Sequence, residues 1–118
     1  MKPAQSFRDL IVWQKAHQLV LAIYQLTKVF PKEETYGLTS QIRRSAASVA
    51  ANIAEAFKKK SALDKLRILN IAQGSLSETE YHILLASDLK YAQVNEVQDS
   101  AEQVSRLLEA YMKAIRGK

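Results

Sequence analysis

Polar side chains recur along one side of a predicted helix in the second quarter of the chain. They follow one another at intervals of three or four residues, which places them on one face of an α-helix. Arg43 or Arg44 could hold a carboxylate of a neighbouring helix bidentately, with Ser48 and Asn52 satisfying the groups beside it. The pattern therefore favours a structural polar network between two helices. Its members are Gln41, Arg44, Ser48, Asn52 and Glu55, with Gln73, Glu78 and Glu80 on the third helix. A ligand or phosphate site built on the same arginines is the alternative.

The densest group of basic residues lies at the junction of the second and third predicted helices. Five cations fall within ten residues, enough to neutralise several phosphates of a nucleic acid. A solvated helix end, where lysines complement the helix dipole, is the competing interpretation. No aromatic residue alternates with these cations, so base stacking is not indicated and weak sequence specificity is expected. The predicted nucleic-acid-binding residues are Arg43, Arg44, Lys58, Lys59, Lys60, Lys65 and Arg67.

The two histidines do not have the sequence surroundings of a metal or catalytic site. Di-iron sites in helical bundles use a Glu-x-x-His pair on each of two helices. His82 follows Glu78 by four residues and Glu80 by two, and His17 has no acidic residue within one turn. Phosphate-binding loops and nucleophile elbows are also missing from the sequence. We predict no catalytic residue, no metal, no cofactor and no enzymatic activity.

Composition and charge place the chain among small soluble domains. It has 118 residues, a net charge of +5 and no cysteine. The amino terminus lacks the apolar region of a secretory signal, and no apolar run is long enough to cross a bilayer. We therefore expect a cytoplasmic protein without a membrane association. The first 67 residues contain twelve basic and five acidic residues, whereas the remainder contains five and seven. Such asymmetry suggests an anionic partner or head-to-tail packing between copies.

Four helices account for nearly the whole sequence. We predict them at residues 7–30, 38–60, 62–91 and 94–116 of a single domain spanning residues 1–118. Ser6 is the expected N-cap of the first helix and Pro31 ends it. Ser61, with Asp64 three positions later, is the expected N-cap of the third helix.

Apolar heptads indicate how these helices pack. The fourth helix has the most regular heptad. The heptad of the third contains two polar layers, at Gln73 and Glu80, and consists of Leu66, Leu69, Gln73, Leu76, Glu80, Ile83 and Ser87. Gly74 interrupts the third helix, and we expect another helix to approach it closely. The predicted fold is an all-α, antiparallel, up-down-up-down four-helix bundle. The heptad of the fourth helix consists of Val94, Val97, Ala101, Val104, Leu108, Tyr111 and Ile115.

Several segments, in order, resemble one bacterial protein family. They are FRDLIVWQKA at residues 7–16, FP at 30–31, YGLTSQIRR at 36–44, NIAE at 52–55 and IAQGSLSE at 71–78. On these residues the chain resembles the four-helix-bundle proteins encoded within intervening sequences of 23S ribosomal RNA genes, the S23 ribosomal protein-like family. Ala50 and Ala56 depart from the pattern, since the family commonly has proline and glycine there. Proline bends a helix, so the second helix is expected to be straighter here.

The resemblance implies an assembly and a set of partners but no mechanism. Members of this family look like small cytosolic proteins that form homopentameric rings. The family is similar to the accessory variability proteins of retroelements, basic barrels that contact nucleic acid and a reverse transcriptase. We therefore expect a non-enzymatic, self-assembling scaffold or accessory protein that contacts RNA or DNA through phosphates. The alternative is a protein-binding adaptor, for a partner such as a reverse transcriptase, whose basic charge serves assembly only.

Overall fold

The protein consists of four α-helices joined by short connections. The computed structural model describes residues 2–117; the predicted domain's first and last residues, Met1 and Lys118, lie outside the described residues. The helices are α1 (Ile11–Leu26), α2 (Leu38–Lys58), α3 (Ala62–Asp88) and α4 (Asn95–Arg116), and residues 2–117 contain no strand. Each helix packs against the next and α1 packs against α4, in a bundle measuring 46 × 24 × 20 Å. The prediction of an all-α four-helix bundle is confirmed.

The core is a column of aliphatic side chains contributed by all four helices. Their spacing of three and four residues keeps one face of each helix turned inward. Removing each large aliphatic side chain from water contributes about 1.5–3 kcal/mol to folding. The fully buried members include Leu19, Ile23, Ile42, Val49, Ile53, Leu69, Ile83, Val104 and Leu108.

The inner face of α3 differs from the predicted heptad. Leu69, Leu76 and Ile83 are buried as expected. The layers between them are formed by Ala72, Thr79 and Ala86. The residues one position later, Gln73, Glu80 and Ser87, lie towards the outside. The inner positions of α3 are therefore one residue earlier than predicted, and of the two predicted polar layers only the one at Thr79 is polar.

The first predicted helix is divided into three parts. Ser6 caps a 3-10 turn at Phe7–Asp9, where its Oγ accepts from the Arg8 amide at 3.2 Å, so the predicted N-cap is confirmed for this turn. The extended backbone of Leu10 then separates the turn from α1. A second 3-10 turn, Thr27–Val29, continues α1 towards Pro31.

Local hydrogen bonds and backbone geometry fix both ends of α3 and the start of α2. Ser61 Oγ accepts from the Asp64 amide at 3.1 Å, which confirms the predicted N-cap of α3. At the start of α2 the carboxylate of Glu34 accepts from the Leu38 amide at 2.9 Å. The third helix ends at Asp88 rather than at residue 91, because Lys90 adopts a left-handed conformation with φ 62°.

Gly74 does not mark a close helix contact. It lies on the exposed side of α3, and no atom lies within 4 Å of the point where a β-carbon would project. The prediction of a close approach at Gly74 is therefore wrong for the described chain.

Candidate nucleic-acid interface

One end of the bundle collects most of the positive charge. The antiparallel packing brings the start of α1, the end of α2, the start of α3 and the end of α4 to this end. Ten cations lie there against the four carboxylates of Asp9, Glu55, Asp64 and Glu109. We call this the basic end; its cations are Lys2, Arg8, Lys15, Lys58, Lys59, Lys60, Lys65, Arg67, Lys113 and Arg116.

The tight α2–α3 connection positions the lysines of the basic end. Lys59 leaves the helix with extended backbone, at φ −69° and ψ 146°, and so ends α2. Ser61 then opens α3 two residues later. Lys58 and Lys60 flank this break and are exposed, without an ion pair among the residues the structure describes. These two ammonium groups are therefore available for an anionic partner.

The other predicted cations of the cluster already have partners within the chain. Lys65 Nζ donates to the carbonyls of Phe57, at 2.9 Å, and Ala56, at 3.3 Å, and so caps the carboxyl end of α2. Lys59 lies 4.0 Å from Glu55 and Arg67 lies 3.9 Å from Asp64. Both ion pairs are solvated and contribute little to stability. Lys65 is therefore a structural residue, whereas Lys59 and Arg67 can exchange their weak pairs for a phosphate.

Arg43 and Arg44 lie at the opposite end of the bundle. Fourteen residues of α2 separate Arg44 from Lys58, which corresponds to about 21 Å at 1.5 Å per residue. The structure therefore does not bring the two arginines together with the lysines of the basic end.

The predicted pairing of these arginines with a carboxylate of α3 is wrong. Arg43 turns towards α1 instead, where its Nε donates to Thr27 Oγ1 at 2.8 Å and its Nη2 to the Tyr24 carbonyl at 3.3 Å. Arg44 is exposed and forms no ion pair among the described residues.

The predicted polar network is present only in separate pieces. Asn52 Nδ2 donates to the Ser48 carbonyl at 2.8 Å and to Ser48 Oγ at 3.0 Å. Ser48 Oγ reaches Ser75 Oγ on α3 at 2.9 Å. The hydroxyl pair is thus the link between α2 and α3 on this face, and Ser75 is a member that the sequence interpretation missed.

The remaining predicted members of the polar network do not bond to Ser48, Asn52 or Ser75. Gln73 Nε2 donates to Glu109 Oε2 on α4 at 2.8 Å. Glu80 lies near Glu102, and its pKa is raised because burial and the second carboxylate disfavour its charge. Within residues 2–117, Glu55 pairs with Lys59 alone, and Gln41 is exposed. A single network joining all these residues is therefore not formed.

A buried polar cluster between α2 and α3 was not predicted. Ser45 Oγ lies 2.8 Å from Thr79 Oγ1 and 3.4 Å from His82 Nδ1. All three residues are buried, and His82 Nε2 lies 4.0 Å from the exposed carboxylate of Glu78. Burial holds the pKa of His82 below its ordinary value, and Glu78 opposes this only in part. The imidazole is thereby kept neutral within the interface.

Ser45, His82 and Glu78 resemble a catalytic triad in composition but not in accessibility. A nucleophilic hydroxyl must reach its substrate, whereas Ser45 is 4% exposed. Its hydroxyl also hydrogen-bonds to the Ile42 carbonyl at 3.2 Å and to Thr79, so its capacity is used within the bundle. The cluster fixes the alignment of α2 and α3.

Potential metal ligands do not converge in residues 2–117. No group of three or more histidine or acidic side chains there could hold a metal ion. His17 is exposed and stacks on Trp13, with ring centroids 4.9 Å apart and planes inclined by 9°. No helix within the same residues is long and apolar enough to cross a membrane.

The fold and its surface define a basic, all-α four-helix bundle whose buried polar groups serve helix packing. The chain belongs to the 23S rRNA-intervening sequence protein family, whose model matches residues 8–110. It is also similar to a solved protein of unknown function from the S23 ribosomal protein family of Bacteroides thetaiotaomicron. That similarity has 27% identity and a TM-score of 0.78, and covers 87% of this chain and 96% of the other. No curated protein matches the sequence. The predicted family is confirmed.

Proposed function

We propose that this protein is a non-enzymatic, cytoplasmic helical bundle that self-associates, as a pentamer, and serves as a nucleic-acid-associated scaffold or accessory protein. The observation that carries the proposal is the separation of charge along the bundle. Ten cations lie with four carboxylates at the basic end. The opposite end is balanced, with five of each sign. Its charged residues are Lys28, Lys32, Arg43, Arg44, Lys90, Glu33, Glu34, Asp88, Glu96 and Asp99.

A surface of this kind suits a phosphate backbone. Each phosphate that a cation neutralises releases counterions, so affinity falls steeply as salt rises. The exposed large apolar residues near the α2–α3 connection and the start of α1 are Leu63 and Ile11, both aliphatic. Binding at the basic end would therefore use charge and hydrogen bonds rather than base stacking, and would discriminate little between sequences.

Exposed apolar side chains support the self-association part of the proposal. Leu21 and Val29 on the α1 side, and Tyr81 and Leu84 on α3, are each about half exposed or more. Exposed apolar side chains on the outer faces of two helices are candidates for surfaces that another chain covers. A closed ring would repeat the basic end in every subunit and multiply its charge. Native mass spectrometry tests this part, and a monomer at micromolar concentration would contradict it.

Fluorescence anisotropy of labelled RNA and DNA tests nucleic-acid association. The protein is titrated at low and near-physiological salt, together with a variant in which Lys58, Lys59 and Lys60 are changed to glutamate. The matched control reverses Lys28, Lys32 and Lys90, which changes the net charge equally at the opposite end. We expect salt-sensitive binding that the first variant loses and the control largely retains.

Two outcomes would contradict the interface. Absence of binding at low salt would overturn nucleic-acid association altogether. Equal losses in both variants would show that overall charge, rather than the basic end, attracts the nucleic acid. Circular dichroism of each variant confirms that the helices are intact.

A groove supports the adaptor as a second candidate. It lies between the end of α1 and the start of α4 and has a volume of about 820 Å³. Leu26, Val29 and Val97 are among its lining residues, so its surface is largely apolar. The adaptor predicts that binding of a purified reverse transcriptase is lost in Val29→Glu and unchanged when Lys58, Lys59 and Lys60 are reversed. The opposite pattern would assign that contact to the basic end.

A further inference from the structure

An open concavity of about 390 Å³ lies at the end of the bundle opposite the basic end. It is formed by α1, the start of α2 and the connection between them. Two guanidinium groups, Arg43 and Arg44, share its wall with the hydroxyls of Thr39 and Ser40. No carboxylate lines it. The wall therefore combines positive charge with neutral hydrogen-bonding groups, the combination that favours an anion.

Residues at the end of α1 hold the guanidinium of Arg43 in place. Its Nε donates to Thr27 Oγ1 at 2.8 Å and one Nη2 hydrogen to the Tyr24 carbonyl at 3.3 Å. Its Cζ lies 4.5 Å from the centre of the Tyr24 ring. Thr27 is itself buried and bonded to the Ile23 carbonyl at 2.9 Å. Of the five N–H donors of Arg43, three stay available, on a side chain that loses little further freedom when it binds a ligand.

Arg44 and Tyr36 complete the wall without a packing role. Arg44 is exposed and has no ion pair among the described residues. Tyr36 is 96% exposed, so its ring stabilises nothing in the folded chain. A free aromatic ring beside two cations offers a planar ligand a stacking surface.

The carboxylate of Glu34, in the connection beside the concavity, has two hydrogen-bond partners within the chain. The carboxylate of Glu34 accepts from the Leu38 amide at 2.9 Å and from the Tyr91 hydroxyl at 2.7 Å. It therefore already satisfies the first amide of α2. Recognition in the concavity depends on the side chains of its wall rather than on the helix terminus.

We infer that this concavity binds a phosphate monoester carrying a planar ring, of which a nucleoside 5′-monophosphate is the simplest example. The phosphate would accept from Arg43, Arg44 and the hydroxyls of Thr39 and Ser40, and the ring would stack on Tyr36. This site is separate from the basic end and does not depend on the proposed nucleic-acid association.

Nuclear magnetic resonance of the arginine side chains tests the site directly. The Nε–H of Arg43 is fixed by its hydrogen bond and reports on the wall. We titrate the full chain with AMP, ribose 5-phosphate, inorganic phosphate, adenosine and a dinucleoside monophosphate that has only a phosphodiester. AMP is expected to shift the Arg43 and Arg44 signals at the lowest concentration, ribose 5-phosphate and phosphate at higher ones, and adenosine least.

Three variants assign the contacts. Arg44→Gln removes an exposed cation and is expected to weaken AMP binding about tenfold or more, the effect of one charge-assisted hydrogen bond. Tyr36→Ala is expected to weaken AMP but not inorganic phosphate. The matched control, reversal of Lys58, Lys59 and Lys60, is expected to leave AMP binding unchanged even if it abolishes binding of RNA or DNA.

The inference is overturned by any of several results. No shift with millimolar AMP would show that the concavity binds no such ligand. AMP binding unaffected by both Arg44→Gln and Tyr36→Ala would place the ligand elsewhere. Adenosine or the dinucleoside monophosphate binding as well as AMP would show that a phosphate monoester is not what the site recognises.

Discussion

The hydroxyl of Tyr91 donates a 2.7 Å hydrogen bond to the carboxylate of Glu34, which lies 57 residues earlier in the chain. The other oxygen of the same carboxylate accepts from the Leu38 amide at 2.9 Å. Glu34 thus joins the α1–α2 connection, the start of α2 and the residues after α3. Both bonds favour the charged carboxylate and lower the pKa of Glu34, and the bond to Glu34 raises the pKa of Tyr91.

Tyr91→Phe is expected to destabilise the bundle near neutral pH and to make its stability less sensitive to acid. The folded-state pKa of Glu34 is lower than its ordinary 4.5, so its contribution is present above the unfolded-state pKa and lost as the pH falls through the folded-state pKa. In urea unfolding across that pH range, Tyr91→Phe should begin with a lower midpoint than the wild type. It should then lose less stability as the pH falls. Tyr36→Phe is the control, because its ring is exposed. An unchanged midpoint in Tyr91→Phe would contradict the structural role of the bond.

As the pH falls, His82 should begin to lower the stability of the bundle at a higher pH than Glu34 does. Its pKa in the folded protein is lower than its ordinary 6.5, because burial disfavours the charged ring. The unfolded chain therefore binds more protons as the pH falls below 6.5, and the free energy of unfolding decreases until the folded-state pKa is reached.

His82→Gln tests this pH dependence. The substitution removes the titrating ring and should flatten the stability profile from pH 6.5 down to the folded-state pKa of His82. His17→Gln, at an exposed position, is the matched control for the loss of a histidine. Equal profiles in His82→Gln and the wild type, measured by urea unfolding, would contradict the assignment.

The sequence was sufficient to predict the class of fold but not the buried polar cluster. Alternating intervals of three and four residues predicted four helices and their antiparallel order. Ser45 lies three residues after the buried Ile42, and Thr79 three residues after the buried Leu76, so their spacing indicates that they belong to the inner faces. The sequence analysis missed this spacing because it assigned the heptad of α3 through Gln73 and Glu80, one residue later. The partner of Arg43 could not be predicted, since it depends on how α1 is rotated against α2.

The ends of the helices were less predictable because they depend on local backbone geometry. The end of α3 forms two hydrogen bonds typical of a left-handed helix cap, from Tyr91 N to the Ala86 carbonyl at 2.9 Å and from Lys90 N to the Ser87 carbonyl at 3.0 Å. Glycine usually occupies the left-handed position, and here it is Lys90. Without glycine as a signal, the helix was predicted to continue to residue 91.

Lys90→Gly should therefore stabilise the protein. Glycine removes the steric cost of a β-carbon at positive φ. This cost is larger than the conformational entropy that glycine adds to the unfolded chain, so we expect the unfolding free energy to rise by about 0.5–1 kcal/mol. Lys90→Ala removes the same charge but keeps the β-carbon, and should give no comparable gain. Equal effects of the two substitutions on the urea midpoint would attribute the change to charge rather than to backbone strain.

Gly74→Ala should also stabilise the isolated chain, for a different reason. A glycine inside a helix costs about 1 kcal/mol relative to alanine, and nothing lies within 4 Å of the added methyl group. The unfolding free energy should therefore rise by about 1 kcal/mol under conditions in which the protein is monomeric. Ser77→Ala, on the exposed side of the same helix, serves as the control because it adds no β-carbon. A decrease in stability that appears only at concentrations where copies associate would place Gly74 against a second subunit. A decrease in the monomer would contradict the open surface seen around this residue.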